Sequence, residues 1–218
     1  ATPDIMVYGS FSQGYKSGGF QSLPGSLALA SSVYDPEDVK SYEVGVKSQF
    51  FDRQLRLNIA AFQTNITNQQ ILRIPAPATT IIDNAGRTRT RGVDVTLQAQ
   101  LGALLFIDWS STYQKARFRE YLSDCSGTPV ICATDLSGNR QLRSPDFQTC
   151  FVADLRIPIS DDAGKLTLRG EYFYQTKTFF YASNVPDPGA FQPAYGLLNG
   201  RLSYDLPGGD LTFALFVK

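Results

Sequence analysis

Three arginines at alternate positions, Arg87, Arg89 and Arg91, directly precede an equally regular series of apolar residues in the segment DNAGRTRTRGVDVTLQAQ. Alternate residues of a β-strand point to the same face, so these guanidinium groups would share a face with the apolar side chains that follow. On a strand that crosses a bilayer, they would lie at the edge of the hydrocarbon and hydrogen-bond to lipid phosphates. Two other interpretations stay open: a solvated strand extension, or a bulge at Gly92 that turns the arginines to the opposite face.

The composition removes most catalytic and metal-binding chemistry from consideration. The 218 residues include no histidine, which is the commonest general base and transition-metal ligand in proteins. Twenty Lys and Arg residues balance twenty Asp and Glu residues, so the chain has no global basic field that would recruit nucleic acid. We therefore expect no enzyme, no resident metal or cofactor, and no nucleic-acid partner.

The three cysteines divide into a pair and a single residue. Cys125 and Cys132 lie close together in a span that contains Gly and Pro, which can bring two Cα atoms within disulfide distance. In an exported protein this spacing predicts a disulfide that staples a long loop, with unpaired thiols as the alternative. Cys150 stands alone, and its place in the alternating pattern predicts an inert thiol on a polar strand face.

Apolar and polar residues alternate with a period of two along most of the chain, whereas helical spacing is not found. This pattern predicts an all-β fold. The expected strands number nine, near residues 4–15, 37–50, 54–66, 87–101, 103–116, 145–159, 166–180, 194–206 and 211–218. No apolar run is long enough for a transmembrane helix, but a membrane-spanning strand needs only about ten alternating residues.

The two faces of these strands differ in chemistry. One face is apolar throughout, and the other carries charged residues that we expect to face a wet lumen, where they form cross-strand pairs, contact other parts of the protein, or line a solute path. The residues predicted to face the lumen are Glu43, Lys47, Arg56, Asp94, Asp108, Arg169, Glu171, Arg201 and Asp205.

The connections between strands alternate between short and long. Tight turns are expected at 51–54, 101–103, 160–165 and 207–210, and long loops near 16–36, 67–86, 117–144 and 181–193. An antiparallel up-and-down order would place all short turns at one end and all long loops at the other, as in transmembrane β-barrels. A soluble β-sandwich that serves a structural or adhesive role is the alternative.

Aromatic residues gather near the ends of the predicted long loops. They suit ligand capture, a girdle at the lipid headgroups, or loop packing. The candidates for ligand contact are Tyr15, Tyr121, Phe179, Phe180 and Tyr181. Girdle or loop packing is the favoured alternative for the last three.

Four segments together resemble the barrel of TonB-dependent outer-membrane receptors. They are VYGSFSQGYKSGGF (7–20), DPEDVKSYEVGVKSQFFDRQLRLNIAAFQTNITNQQI (35–71), NAGRTRTRGVDVTLQAQ (84–100) and YGLLNGRLSYDLPGGDLTFALFVK (195–218). The resemblance implies a Gram-negative outer-membrane barrel of about 22 strands that encloses a plug. Such receptors use energy passed on by the TonB protein to take up a ferric siderophore or similar iron complex, or alternatively cobalamin or a glycan.

The resemblance also implies a partial molecule. Nine strands do not close a wide barrel and leave two unpaired edges, so we expect residues 1–218 to be part of the barrel domain, with the plug and the remaining strands lying outside this sequence. The expected partners are membrane lipid and lipopolysaccharide, the plug and the other strands, the TonB protein through an N-terminal part, and a small ligand such as a ferric siderophore. Asp94 departs from the glutamate that many relatives have at this position.

Overall fold

A computed structural model describes residues 3–21, 27, 31–76, 79–126, 131–160, 163–208 and 210–218. For residues 73–76, 85, 124–126 and 131–133, only the backbone is described. Within these ranges, no helix is long and apolar enough to cross a membrane.

The described residues form fifteen β-strands. In chain order they are β1 (Ile5–Lys16), β2 (Gly19–Phe20), β3 (Val33–Tyr34), β4 (Glu37–Phe50), β5 (Leu55–Ala76), β6 (Thr79–Leu101), β7 (Leu105–Glu120), β8 (Leu122–Ser126), β9 (Ile131–Asp135), β10 (Phe147–Ser160), β11 (Gly164–Gln175), β12 (Thr178–Phe179), β13 (Phe191–Gln192), β14 (Tyr195–Asp205) and β15 (Thr212–Val217).

Nine of these strands build one sheet in the order β1-β4-β5-β6-β7-β10-β11-β14-β15, and every neighbouring pair is antiparallel. The other six form three small hairpins, β2–β3, β8–β9 and β12–β13, within the long connections. The predicted all-β, antiparallel up-and-down order is therefore confirmed. The sheet does not close, because β1 and β15 are its two edges.

One predicted loop is wrong. The expected loop at 67–86 is instead a continuation of β5 and β6, which stay paired as far as Ala76 and Thr79. β4 ends its pairing with β5 at Thr67, so the β5–β6 hairpin projects beyond its neighbour on that side. The residues of this extension, such as Gln69, Gln70, Ile71 and Leu72, do not alternate between polar and apolar types, and for this reason the extension could not be recognised from the sequence.

The short turns all lie at one end of the sheet, as predicted. In the first of them Phe51, Asp52 and Arg53 have φ of 54°, 51° and 69°, so three consecutive residues adopt the left-handed conformation. The amide of Gln54 then donates a 3.0 Å hydrogen bond to the carbonyl of Phe51. This local closure returns the chain into β5 within four residues and keeps the strands in register.

The apolar face of the sheet is exposed. Val7, Val44 and Leu198 have relative exposures of 70%, 62% and 72%, and no second layer covers this face within the described ranges. Fully buried apolar residues are found mainly at the long-loop end, where Ile71 and Phe118 belong to a small cluster. A soluble β-sandwich would bury its apolar faces between two sheets, so the sandwich alternative is not favoured.

Candidate functional site

The polar face of the sheet carries the charged residues predicted to face a lumen. At one edge, the hydroxyl of Tyr8 donates a 2.6 Å hydrogen bond to Glu43 Oε1, and Lys47 Nζ lies 5.3 Å from the centre of the Tyr8 ring. The ring lies directly over Gly45, where a Cβ atom would come within 2.5 Å of it. Glycine at this position therefore permits the contact between the two strands.

The centre of the polar face is joined by cross-strand hydrogen bonds. Thr112 Oγ1 donates to Asp94 Oδ1 over 2.6 Å, and Gln98 Nε2 donates to Asp108 Oδ2 over 2.8 Å. Each bond joins β6 to β7. Both carboxylates thus have hydrogen-bond donors on the neighbouring strand, which lowers the cost of holding charge on a partly buried surface.

Further along the sheet, Arg169 Nη1 contacts the Asp154 carboxylate at 3.2 Å. Asp154 is only 8% exposed, so its charge requires this partner. At the turn end, Asp205 accepts a 2.7 Å hydrogen bond from Thr212 and lies 3.5 Å from Lys165 Nζ.

The remaining predicted lumen residues lie in register on this face without such partners. Arg56 is opposite Gln98, Glu171 is opposite Asn199, and Arg201 is opposite Arg169. Within the described residues, none of the three belongs to an ion pair. These three residues are therefore available for contacts with other parts of the protein or with a solute.

The long-loop end holds a small buried cluster that we call the loop layer: Ile71, Phe118, Tyr121 and Leu136. Tyr121 is 2% exposed and its ring centre lies 5.1 Å from that of Phe118. The amide of Leu136 also donates to the Tyr121 carbonyl over 2.8 Å. Tyr121 was a candidate for ligand contact, and in this structure its ring is buried in packing with Phe118.

Polar bonds tie the β9–β10 connection to the β12–β13 region, a link that the sequence did not reveal. The amide of Arg140 donates to Asn184 Oδ1 over 2.6 Å, and Asn184 Nδ2 donates back to the Arg140 carbonyl over 3.1 Å. Asn139 Nδ2 donates to the Ala182 carbonyl over 2.9 Å. Asparagine side chains that bond to distant backbone groups leave no periodic pattern in the sequence. In the structure, Asn184 also has a positive φ of 55°.

An ion-pair network lies just below these loops. Asp146 accepts from Arg117 Nη1 at 3.1 Å and lies 2.6 Å from Arg140 Nη2. All three side chains are less than a third exposed. In this network two arginines share one carboxylate and fix the position where the chain enters β10.

The other aromatic candidates divide between buried and exposed positions. Phe179 is 6% exposed, stacks near Phe191 at 6.2 Å and has Lys177 Nζ 5.0 Å above its ring. Phe180 and Tyr181 are exposed at 39% and 63%. Phe180 and Tyr181 are therefore accessible to a ligand, whereas Phe179 is packed inside the loop.

Tyr15 is 79% exposed and lies opposite Asp38 in the β1–β4 ladder. Its register places it on the same side of the sheet as Phe11, which belongs to the apolar face. That position suits a headgroup girdle better than a ligand-binding loop.

The structure places two cysteines opposite each other in one hairpin and the third in the main sheet. Cys125 and Cys132 are directly opposite each other in the β8–β9 ladder, but their side chains lie outside the described residues, so the disulfide stays a prediction. Cys150 is a free cysteine in β10, opposite Ser110 and Phe173 on the polar face.

The register through Gly92 resolves one question about the arginines. Gly92 is opposite Phe62 on β5 and Gln114 on β7, and pairing continues without a shift on either side of it. The bulge alternative is therefore wrong, and Arg91 stays on the side of Val93. Gly92 is needed for packing instead, because a Cβ atom there would meet the Tyr113 carbonyl at 2.5 Å.

Comparison with known proteins identifies the family to which this sheet belongs. The family described as "TonB dependent receptor-like, beta-barrel" matches residues 1–218. Among curated proteins, the metal-pseudopaline receptor CntO of Pseudomonas aeruginosa is 28% identical over 115 residues, which is 50% of this chain and 15% of that protein.

Two solved structures illustrate the similarity of fold. The ferric yersiniabactin uptake receptor FyuA from Yersinia pestis superposes with a TM-score of 0.77 at 19% identity, covering 99% of this chain and 29% of that one. The ferric preacinetobactin receptor BauA from Acinetobacter baumannii gives a TM-score of 0.70 at 19% identity, with coverage of 99% and 29%. The chain thus spans less than a third of these relatives.

Proposed function

Because the chain belongs to the TonB-dependent receptor β-barrel family, we propose that it forms part of the barrel wall of an outer-membrane receptor that takes up a scarce metal–chelate complex. The observation that carries this proposal is the division of one nine-stranded sheet into an exposed apolar face and a hydrogen-bonded, charged face. The apolar face suits lipid tails, and the charged face suits an aqueous lumen.

The proposed orientation follows from the connections. The short turns, such as the one at Phe51–Arg53, would lie in the periplasm. The long β5–β6 hairpin, the loop layer and the β12–β13 region would lie outside the cell. Transmembrane barrels of bacteria show this polarity of loop lengths.

The wall contributes binding and positioning but no covalent chemistry. Exposed loop residues such as Phe180 and Tyr181 are available for a ligand arriving from outside. Polar-face residues without an ion-pair partner within the described ranges, Arg56, Glu171 and Arg201, are available to a plug or to a passing solute. Ligand binding would shift the population of plug conformations, and energy transmitted by the TonB protein would then open a path.

The substrate class is supported by the relatives. Their names refer to metal pseudopaline, ferric yersiniabactin and ferric preacinetobactin, which are complexes of a metal with a small organic chelator. A metal–chelate complex is therefore the class we propose for this receptor.

The proposal is tested by uptake. A strain that lacks the receptor and its own siderophores is complemented with the receptor at its natural length and supplied with a panel of radiolabelled ferric chelates. We expect accumulation of at least one chelate, and no accumulation in a matched strain without the TonB protein. Accumulation that is independent of the TonB protein would contradict the proposal, as would purification as a soluble monomer without detergent.

A further inference from the structure

A row of basic side chains crosses the apolar side of the sheet just beyond its last apolar residues. In the ladder, Arg91 is directly opposite Lys115, and one row further out Arg89 is directly opposite Arg117. We use the name basic patch for the outward-facing cationic residues of this region: Lys40, Arg87, Arg89, Arg91, Lys115 and Arg119.

Most of these charges have no acidic partner. Arg87 is paired with Glu120 at 2.7 Å. Within the described residues, the other five members form no ion pair; Arg89 only donates to the neutral Asn65 over 3.0 Å. Like charges directly opposite each other destabilise a sheet, so the Arg91–Lys115 pair carries a cost unless an anion lies between the two groups.

The level of the patch relative to lipid can be read along β6. Arg91 lies ten residues from Leu101 at the turn end, and at about 2.5 Å of height per residue it lies about 25 Å above that end, at the outer edge of an apolar band about 25 Å tall. The ring pair Phe11–Tyr42, whose centres lie 5.2 Å apart, is in the same ladder row as Arg91 and Lys115. Amphipathic rings such as that of Tyr42 concentrate at the headgroup level of membranes. The next row inward, which includes Val44 and Val93, is apolar and about 5 Å deeper.

The geometry points to a phosphate-binding surface. Arg87, Arg89 and Arg119 line one shallow depression together with Asn65 and Thr67. Guanidinium groups bind phosphate oxygens in a bidentate manner, and a phosphate between two cations removes their mutual repulsion. The positive charge of the patch, the spacing of its cationic groups and its level at the edge of the apolar band all favour phosphate binding.

We propose that the basic patch binds the phosphate groups of the phosphorylated glycolipid in the outer leaflet, with Arg89, Arg91 and Lys115 as the principal contacts. This inference rests on the proposed outer-membrane location, but it concerns a surface that faces away from the lumen. Binding there would anchor the barrel at a defined height and rotation and would not involve the transported solute.

The experiment measures lipid A binding by the receptor at its natural length, delipidated in a non-ionic detergent. Binding of diphosphorylated lipid A is followed by intact-complex mass spectrometry for the parent and for the variant Arg89→Gln/Arg91→Gln/Lys115→Gln. The matched control, Lys47→Gln/Arg56→Gln/Arg201→Gln, removes the same charge from the polar face. A second variant, Arg89→Lys/Arg91→Lys, keeps the charge but removes the planar guanidinium groups.

We expect binding to weaken about tenfold or more in the glutamine variant, to weaken less in the lysine variant, and to stay unchanged in the control. Lipid A without phosphates should bind the parent weakly. Heat-modifiable gel mobility verifies that every variant is folded.

Three results would overturn the proposal. They are equal binding by the parent and the glutamine variant, equal binding of lipid A with and without phosphates, and complete displacement by inorganic phosphate, which would indicate a site for a soluble anion. A glutamine variant that alters the number of receptor copies per particle but not the bound lipid would identify a protein interface instead. Loss of lipid binding with normal chelate uptake leaves the transport proposal intact, so the two proposals fail separately.

Discussion

An arginine placed at Val95 tests whether the apolar face meets hydrocarbon. Val95 lies opposite Ile59 on β5 and six residues from Leu101 at the turn end of β6. At about 2.5 Å of height per residue, Val95 lies roughly 15 Å above that end, close to the midplane of an apolar band about 25 Å tall. A charge at this depth has neither water nor a partner.

The expected cost of Val95→Arg is about 2–4 kcal/mol, which lowers the ratio of folded to unfolded receptor about 30- to 900-fold. The same substitution at Leu101, at the edge of the band, should cost about 0–1 kcal/mol. Thr96→Arg is the matched control, because Thr96 is the next residue and accepts a 3.2 Å hydrogen bond from Asn58 on the polar face.

The assay is folding of the full-length receptor into phosphatidylcholine vesicles over a series of urea concentrations, with the folded fraction read from gel mobility without heating. The predicted order of folded fraction is Thr96→Arg and Leu101→Arg similar to the parent, and Val95→Arg far below both. If Val95→Arg folded as well as Thr96→Arg, the apolar face would not be in contact with lipid.

Three further predictions concern backbone and loops. Gly92→Ala should destabilise the barrel by about 1–3 kcal/mol, measured in the same urea series, because the new Cβ meets a backbone carbonyl that cannot move freely; an unchanged midpoint would contradict this. Hydrogen bonds from Ser137 lower the pKa of Asp135, so their stabilising effect is present above the ordinary carboxyl pKa and is lost as pH falls through the lowered value. The protection of the Ser137 amide relative to its intrinsic exchange rate should therefore fall only in that acidic range, and a pH-independent protection would refute this. Cys125 and Cys132, opposite in their hairpin, should be bridged, giving a mass about 2 Da lower before reduction than after it; equal masses would indicate free thiols.

The faces of the nine strands could be predicted because one face of the sheet is apolar and the other polar, so residue chemistry alternates along each strand. Val44 and Glu43, for example, are adjacent in sequence and lie on opposite faces, and the register of β4 with β5 preserves this alternation over thirteen pairs. Because side chains alternate with a period of two, each strand has only two possible assignments of its residues to the two faces. The positions of the apolar residues select one of them.

Features without a period were not predictable. The extension of β5 past Thr67 has two polar residues, Gln69 and Gln70, followed by two apolar ones, so it carries no alternating signal, although Ile71 is buried in the loop layer. Tyr121 looked like a loop aromatic available for a ligand, yet it is buried in a cluster with Ile71 and Leu136, whose proximity to it is not visible in a single sequence. The hydrogen bonds of Asn139 and Asn184 join residues more than forty positions apart.

The bonds between Asn184 and Arg140 have a thermodynamic consequence for any ligand that docks on these loops. Free loops must give up conformational freedom when they close on a ligand, and each residue fixed costs about 1–2 kcal/mol. Here two connections from different parts of the chain are already held against each other by bonds of 2.6 Å and 3.1 Å. That entropy loss occurs during folding, so a docking molecule meets a preorganised platform and retains more of its contact energy as affinity.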